Sequence, residues 1–448
     1  MFNLTRRLPL AVALVSFGFY ALAMSHGVTL NSLSLTAKVA GWDGTPLVGH
    51  PLFWLLTLPL QLLPAAIVPF CLNLFSAATA ALTLGILARS LQILPWDKPW
   101  DHDWRLAGAL PVWLACAVCG LEFSFWLEAT TGSVEILDGL LLACGLWLLL
   151  EYRVRRDSRW LNAAAVVWGV GMAENWVMIL LLPIFIAGVI WLRKIWFFRW
   201  QFLLRMIGLG LAGFSLYALL PLVNGLNPHS PWSFGEAWTA SLKQTENVVR
   251  LLYYQFWRSH RFITLVVTIY FLLPTLACLV RLPDLGTRNK PWVDRFQIWI
   301  YRALRGILLL ACLWLAFDPA TGPRQILLQQ FSGGMPLLTF DYLNALGVGF
   351  LAGNLLLLSQ GIVERRRRSS PGIRWWRLTV PAFAGILALM ITGLVARNAP
   401  AILQMNFHPL QRFGELAAAS LPAGGGVVLS DQPQKLVVFQ AALAHRRD

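Results

Sequence analysis

Charge is what this sequence has least of. Asp, Glu, Lys and Arg make up 13% of its 448 residues, about half the ~25% of soluble globular domains. From Leu106 through Tyr152 there is no Lys or Arg at all. Hydrophobic residues reach 57%, with a mean hydropathy of +0.62. Too few polar groups remain to cover a water-facing surface, which excludes a single soluble domain and makes lipid the solvent for much of the chain. Cysteine is also scarce. All six cysteines lie in apolar runs; Cys116 and Cys119 have the spacing of a metal pair but no second pair or His in their segment, so they read as packing residues and no disulfide framework is implied. A P-loop, a Gly-x-Ser-x-Gly elbow, a His-Glu-x-x-His motif and a Rossmann fingerprint are all missing. ATP-driven transport therefore has no support, and the lack of an internal repeat argues against a secondary transporter.

What is present is a series of apolar runs of spanning length, roughly 20 residues each. They predict an all-α polytopic membrane protein with about eleven transmembrane helices, near 8–27, 66–88, 106–126, 133–151, 160–175, 176–192, 204–223, 262–280, 303–318, 341–360 and 378–396. The fifth and sixth are joined by a very tight turn at Glu174–Asn175. The net charge of +15 sits in short clusters between these runs, the pattern of the positive-inside rule and not that of a nucleic-acid surface. With Arg6 and Arg7 inside, 25 of the 36 Lys and Arg fall on cytoplasmic segments; only Lys38, Lys243, Arg250, Arg258, Arg261 and Arg324 fall on outer loops before the tail. The expected topology is N-terminus in the cytoplasm and C-terminus outside, as in a bacterial inner membrane. The first run also has the look of a signal peptide, Arg6–Arg7 followed by an apolar stretch and Ala21-Leu22-Ala23, and is expected to stay as an uncleaved helix.

Two outer loops are long. Gly27–Pro64 ends in Pro51-Leu52-Phe53-Trp54-Leu55-Leu56, an expected interfacial helix whose Trp54 suits the headgroup region. Asn224–Arg261 interleaves Trp232, Trp238, Tyr253, Tyr254 and Trp257 with Lys243, Arg250 and Arg258, suited either to lipid phosphates and sugars or to an aromatic belt. The expected division is a membrane domain, 1–397, and an extracytoplasmic α/β tail, 398–448, with a strand at Val427–Asp431 and a helix through Ala444. Some fifty residues build no independent core easily, so the tail either packs on the membrane part or begins a soluble domain that continues beyond Asp448.

Acidic residues inside spans are costly and usually face a polar cavity. Five gather at one depth near the outer leaflet: Glu122 and Glu128 at the end of the third span, Glu135 and Asp138 opening the fourth on one helix face, and Glu174 at the following turn. The bland reading is a set of acids at watery loop ends. The functional one is a general base or, through Glu135 and Asp138, oxygen ligands for a divalent metal. Asp43, in Gly41-Trp42-Asp43-Gly44, is a separate candidate base, although Asp-Gly is also a plain turn signal.

Ordered short matches then suggest a family. Gly49-His50-Pro51-Leu52-Phe53, Leu63-Pro64, Asn73-Leu74-Phe75-Ser76-Ala77, Phe125-Trp126, Leu220-Pro221 and Trp232-Ser233-Phe234-Gly235-Glu236 follow one another as in a bacterial membrane family related to the eukaryotic transmembrane protein O-mannosyltransferase, which the chain resembles. The resemblance implies a C-type glycosyltransferase fold that takes a sugar from a polyprenyl-phosphate carrier to a protein or glycan acceptor, with a catalytic carboxylate in the first outer loop. In that setting Lys38, Arg250 and Arg258 would pair the lipid phosphate, and His50 and Asn175 would contact substrate. The usual pair of motif acids falls on Asn31 and Ser34, neither of which is a carboxylate. Either Asp43 or the Glu135 and Glu174 group has taken over the chemistry, or this chain binds lipid-linked sugar or scaffolds a partner enzyme without turnover. No cofactor beyond that divalent metal is implied.

Overall fold

The apolar runs fold as helices wherever they can be followed. The computed structural model describes residues 3–29, 32–42, 49–94, 107–227, 232–253, 291–319, 325, 338–367, 376–406, 409–421, 428–430, 435–436, 438–440 and 442–443. The helices are α1 (Asn3–Ala23), α2 (Leu33–Val39), α3 (Pro51–Thr57), α4 (Val68–Ile93), α5 (Ala109–Leu121), α6 (Phe123–Thr130), α7 (Glu135–Arg155), α8 (Ser158–Glu174), α9 (Trp176–Leu180), α10 (Leu182–Arg193), α11 (Trp200–Phe214), α12 (Leu219–Leu226), α13 (Phe234–Tyr253), α14 (Pro291–Ala316), α15 (Leu338–Arg367), α16 (Trp376–Asn406) and α17 (Pro409–Ala419). The chain is thus an all-helical, multi-pass membrane protein.

The expected count of eleven spans is not supported. Six described helices are long and apolar enough to cross a membrane, or seven if the bent pair α5–α6 is one span. Helices do form at the other expected positions within the described residues. However, the apolar part of α1, Arg7–Ala23, is short, α8 has 17 residues, and α7 carries Glu135, Asp138, Glu151, Arg153 and Arg155. The expected span at 262–280 lies outside the described residues. The α/β tail is corrected as well: Val428–Ser430, the described part of the expected strand, is not a strand, and no strand occurs among the described residues. A lone three-residue stretch has no partner strand among the described residues with which to form a ladder. Helix α16 itself runs on to Asn406.

Helix α4 is central, packed against α1 on one side and α7 on the other; α7 leads to α8, and α8 to α11. On the far side α15 lies along α5, with α14 and α16 outside it. The apolar window of α15 is 83% buried and that of α16 only 11%, so α15 is a core helix and α16 a lipid-facing one.

The α8–α11 contact is made by small residues. A Cβ on Gly169 would run into the Gly210 carbonyl, and one on Gly213 into the Val166 carbonyl. Lipid tails are as apolar as Leu, so close backbone packing holds such helices together where burial from water cannot. Gly169→Ala must push the helices apart and should cost about 1–3 kcal/mol, measured as lowered thermal stability in detergent. Gly208→Ala, which meets nothing within 4 Å, is the neutral control.

The expected third span is broken. Helices α5 and α6 meet at 68°, with Glu122 between them in an extended conformation. A break inside lipid is tolerated only where the freed backbone groups find partners. Here Tyr20 Oη donates to the Gly120 carbonyl at 2.8 Å, and Asn398 Nδ2 to the Leu121 carbonyl at 2.7 Å. Two other helices, α1 and α16, thus satisfy the carbonyls that the bend releases.

At one end of the bundle Glu151 ties α4 to α7. Its Oε1 accepts from Arg89 Nε (2.8 Å) and Nη2 (2.6 Å), and its Oε2 from Arg155 Nε (2.8 Å). This is the basic end. The opposite end of α7, where Glu135 and Asp138 fill the first turn, is the acidic end.

Candidate functional site

The site begins with a backbone conformation. Gly49 and His50 both have positive φ, 85° and 58°. Glycine accepts this freely, but histidine does so at a cost. The pair turns the chain so that Pro51 stands at the start of α3, where its missing N–H is no loss. A helix forms at the expected position: Phe53 and Thr57 are buried while Leu55, Leu56 and Leu58 stay exposed.

Helix α3 starts with donors that need partners, and His50 supplies no side-chain cap. The cap comes from far along the chain. Glu174 Oε2 accepts from Leu52 N at 2.7 Å, and Oε1 from Phe53 N at 3.2 Å. A carboxylate at a helix N-terminus is favoured by charge as well as by hydrogen bonding. The Glu174 side chain is 0% exposed, and its Oε1 lies 3.7 Å from Nδ1 of His50, whose side chain is 39% exposed. That is ion-pair reach rather than hydrogen-bond length. Burial works against a charged imidazole here, but the carboxylates of Glu174 and Asp138 outweigh it, and His50 is held above the usual histidine value.

Glu174 is where it is because α8 ends there. Asn175 is extended and ends α8 while capping α9: its Oδ1 accepts from Val177 N at 3.0 Å. That bond orients the amide, leaving Nδ2 to donate to Asp138 Oδ2 at 2.5 Å. Asp138 is 1% exposed, and its Oδ1 has no hydrogen-bond partner among the described residues. A buried carboxylate oxygen without a partner is costly, and a catalytic role, a bound water or an ion is what commonly accounts for one.

The acidic end also holds a roof. Ser233 and Glu236 form a capping box at the start of α13, with Ser233 N donating to Glu236 Oε2 at 2.7 Å and Glu236 N to Ser233 Oγ at 3.4 Å. Helix α13 then packs on α12, with Tyr217 Oη and Thr245 Oγ1 3.1 Å apart. Its Gln244 reaches the Gly49 turn, 3.6 Å from where a Cβ on Gly49 would stand.

Of the residues picked out by sequence, His50, Asp138, Glu174 and Asn175 come together. Glu135 stands half-buried one turn before Asp138. Arg250 is exposed on α13 and pairs with Glu246 at 2.6 Å. Lys38 lies in the last turn of α2, which packs against α4. Asp43 and Arg258 fall outside the described residues. No three His, Cys, Asp or Glu side chains among the described residues are placed to hold a metal ion. Both Glu174 oxygens face N–H donors of α3, so Glu174 itself is committed to the start of that helix. Three roles escaped the sequence reading. One is the capping box, signalled by Ser-x-x-Glu. Another is Glu151, whose signal was Trp147 and Arg155 four residues to either side. The third is Gln244, which no local pattern marks.

Fold and site together define a multi-pass helical membrane protein with a buried acid–imidazole–amide cluster at one end. Residues 47–196 match the family described as Protein O-mannosyl-transferase TMEM260 N-terminal domain, which makes this segment, about a third of the chain, similar to the N-terminal domain of such proteins. No curated protein and no solved structure matches the chain.

Proposed function

We propose that this chain is a membrane glycosyltransferase that moves a sugar from a polyprenyl-phosphate carrier to an acceptor at the outer face of the membrane. The observation that carries this reading is a coincidence of ranges. The matched segment, 47–196, contains all four members of the buried cluster, His50, Asp138, Glu174 and Asn175.

The chemistry follows from what each group has left to give. Glu174 spends both oxygens on the α3 amides, so it is a positioning residue. His50, half-exposed and biased toward its charged form, suits the carrier phosphate. Asp138 keeps one oxygen for an acceptor hydroxyl, whose proton it takes as the hydroxyl attacks the anomeric carbon and the sugar–phosphate bond breaks. The carrier phosphate leaves with the bonding electrons. Asp43, seven positions before His50 in the chain, is the alternative base. Orientation with the N-terminus in the cytoplasm, from the Lys and Arg bias, puts the cluster at the outer face.

The test is sugar release from radiolabelled polyprenyl-phosphate hexose by the purified chain in nanodiscs, with Asp43→Asn alongside. Release by the wild type, retained by Asp43→Asn, is the expected result and leaves Asp138 as base; loss in the mutant moves the base to Asp43. Saturable lipid binding without release by either protein would favour the second reading, a non-catalytic relative. What favours that reading is that the resemblance implies motif acids where this chain has Asn31 and Ser34.

A further inference from the structure

At the basic end of the bundle, α7 and α10 finish side by side around a cavity of about 470 Å³. Its described walls bring together four cations, Arg153, Arg156, Arg193 and Lys194, and two indoles, Trp191 and Trp196, with no Asp or Glu among these described residues. Asp138 and Arg156 are 18 residues apart along α7 and its cap, about 27 Å at helical rise. The cavity is therefore a separate feature, one membrane thickness from the polar cluster.

Cations at helix C-termini offset the dipole, and that alone would explain one or two of them. Three observations go further. First, the described lining of the cavity gathers four cations and no Asp or Glu. Second, Arg193 Nε is shielded from solvent and has no hydrogen-bond partner among the described residues; its guanidinium is held over the Phe202 ring at 4.7 Å and near Tyr152 at 6.0 Å. Third, Arg156 and Lys194 both have positive φ, 58° and 53°. Glycine or asparagine would be cheaper at such positions, so these two cations are kept against local backbone preference. Strained backbone of this kind concentrates at binding sites.

The surroundings say what the ligand is attached to. Trp191, Ile195, Trp196, Phe198 and Trp200 are all exposed, between 51% and 78%, in the last turn of α10, the short connection after it and the first residue of α11. Exposed indoles in this number belong at the membrane–water interface. An anion entering here arrives from the headgroup layer.

We infer that this cavity binds the phosphate headgroup of an anionic phospholipid in the leaflet at the basic end. The guanidinium groups and the Lys194 ammonium take the phosphate oxygens, and the indoles flank the headgroup. Basic pockets between membrane helices are suited to this task.

The test is native mass spectrometry of the full chain released from mixed micelles of phosphatidylglycerol and phosphatidylcholine. The wild type should retain phosphatidylglycerol in preference. Arg156→Asn with Lys194→Gly removes two cations while placing favoured residues at both strained positions, so thermal stability should hold or rise. Phosphatidylglycerol retention should fall about fivefold per cation, about 25-fold in the double variant. Arg205→Asn, which removes an exposed cation of α11 outside the cavity, should change nothing. If the double variant does not fold, Lys194→Gly alone carries the test through its fivefold loss. Unchanged retention in the folded variant, or equal loss with Arg205→Asn, would overturn the proposal. Inorganic phosphate or glycerol phosphate that displaces the lipid at millimolar concentration would reassign the cavity to a free phosphate and overturn the lipid assignment.

Discussion

Asp138→Asn should lower sugar transfer by about a thousandfold, the middle of the range for removing a positioned general base, while leaving the protein as stable as before or more so. The two halves of this result come from the same atoms. An asparagine has the shape of the aspartate, and its carbonyl oxygen still accepts from Asn175 Nδ2, now 2.5 Å from Oδ2. What it loses is a negative charge in a site that is 1% exposed. Removing a buried charge whose second oxygen has no partner relieves the folded state, because desolvating that oxygen is unfavourable. Activity lost with stability kept is the signature of a group retained for chemistry at some expense to the fold. The measurement is the rate of release from the labelled lipid, paired with a thermal melt of the same preparation. An unchanged rate would remove Asp138 from the mechanism. A rate and a melting temperature that fall together would make it a structural residue.

Glu174→Ala should do the reverse, acting first on structure. The substitution leaves the amides of Leu52 and Phe53 without acceptors at the start of α3, and each was bound to a charged oxygen. Losing two such bonds in a buried setting costs about 3–5 kcal/mol. Glu174→Gln keeps one strong acceptor and should cost about half as much. The readout is hydrogen exchange at Leu52 and Phe53: protection should fall by about two to three and a half orders of magnitude in Glu174→Ala, where 1.4 kcal/mol is a factor of ten, and less in Glu174→Gln. His50 would lose its nearest carboxylate in both variants, so transfer should fall in both, tracking charge rather than protection. If protection at these two amides survives in Glu174→Ala, the α3 cap is not what Glu174 provides.

Much of this was legible in the residues themselves. Apolar runs bounded by Lys and Arg mark the helices because length and hydropathy are local properties. The turn at Glu174–Asn175 and the interfacial helix after Gly49-His50-Pro51 could be read for the same reason, since Pro and a left-handed pair act within a few positions. Intramembrane acids stand out in any apolar sequence, and this singled out Glu174 and Asp138. Their roles could not be read. Glu174 caps amides 121 and 122 residues earlier in the chain, and no pattern of spacing announces a partnership at that distance. The resemblance suggested Arg250 for the lipid phosphate, yet Glu246 one turn earlier on α13 already holds it. The break at Glu122 was hidden as well, because the residues that make it tolerable, Tyr20 and Asn398, lie in α1 and α16.

The sequence by itself determined that this chain lives in a membrane, where its apolar runs lie, which end of α7 is acidic and which basic, and which carboxylates are too costly to be incidental. Those follow from transfer free energies and backbone conformational preferences, which each segment carries wherever it is placed. Only the tertiary structure decided that His50, Asp138, Glu174 and Asn175 form one cluster, that one of the two buried acids is committed to a helix cap while the other keeps a free oxygen, and that four cations from two helix ends share one cavity. Those depend on which surfaces meet, and in lipid that is settled by close backbone contacts such as Gly169 on Gly210 and by polar groups finding partners across the bundle.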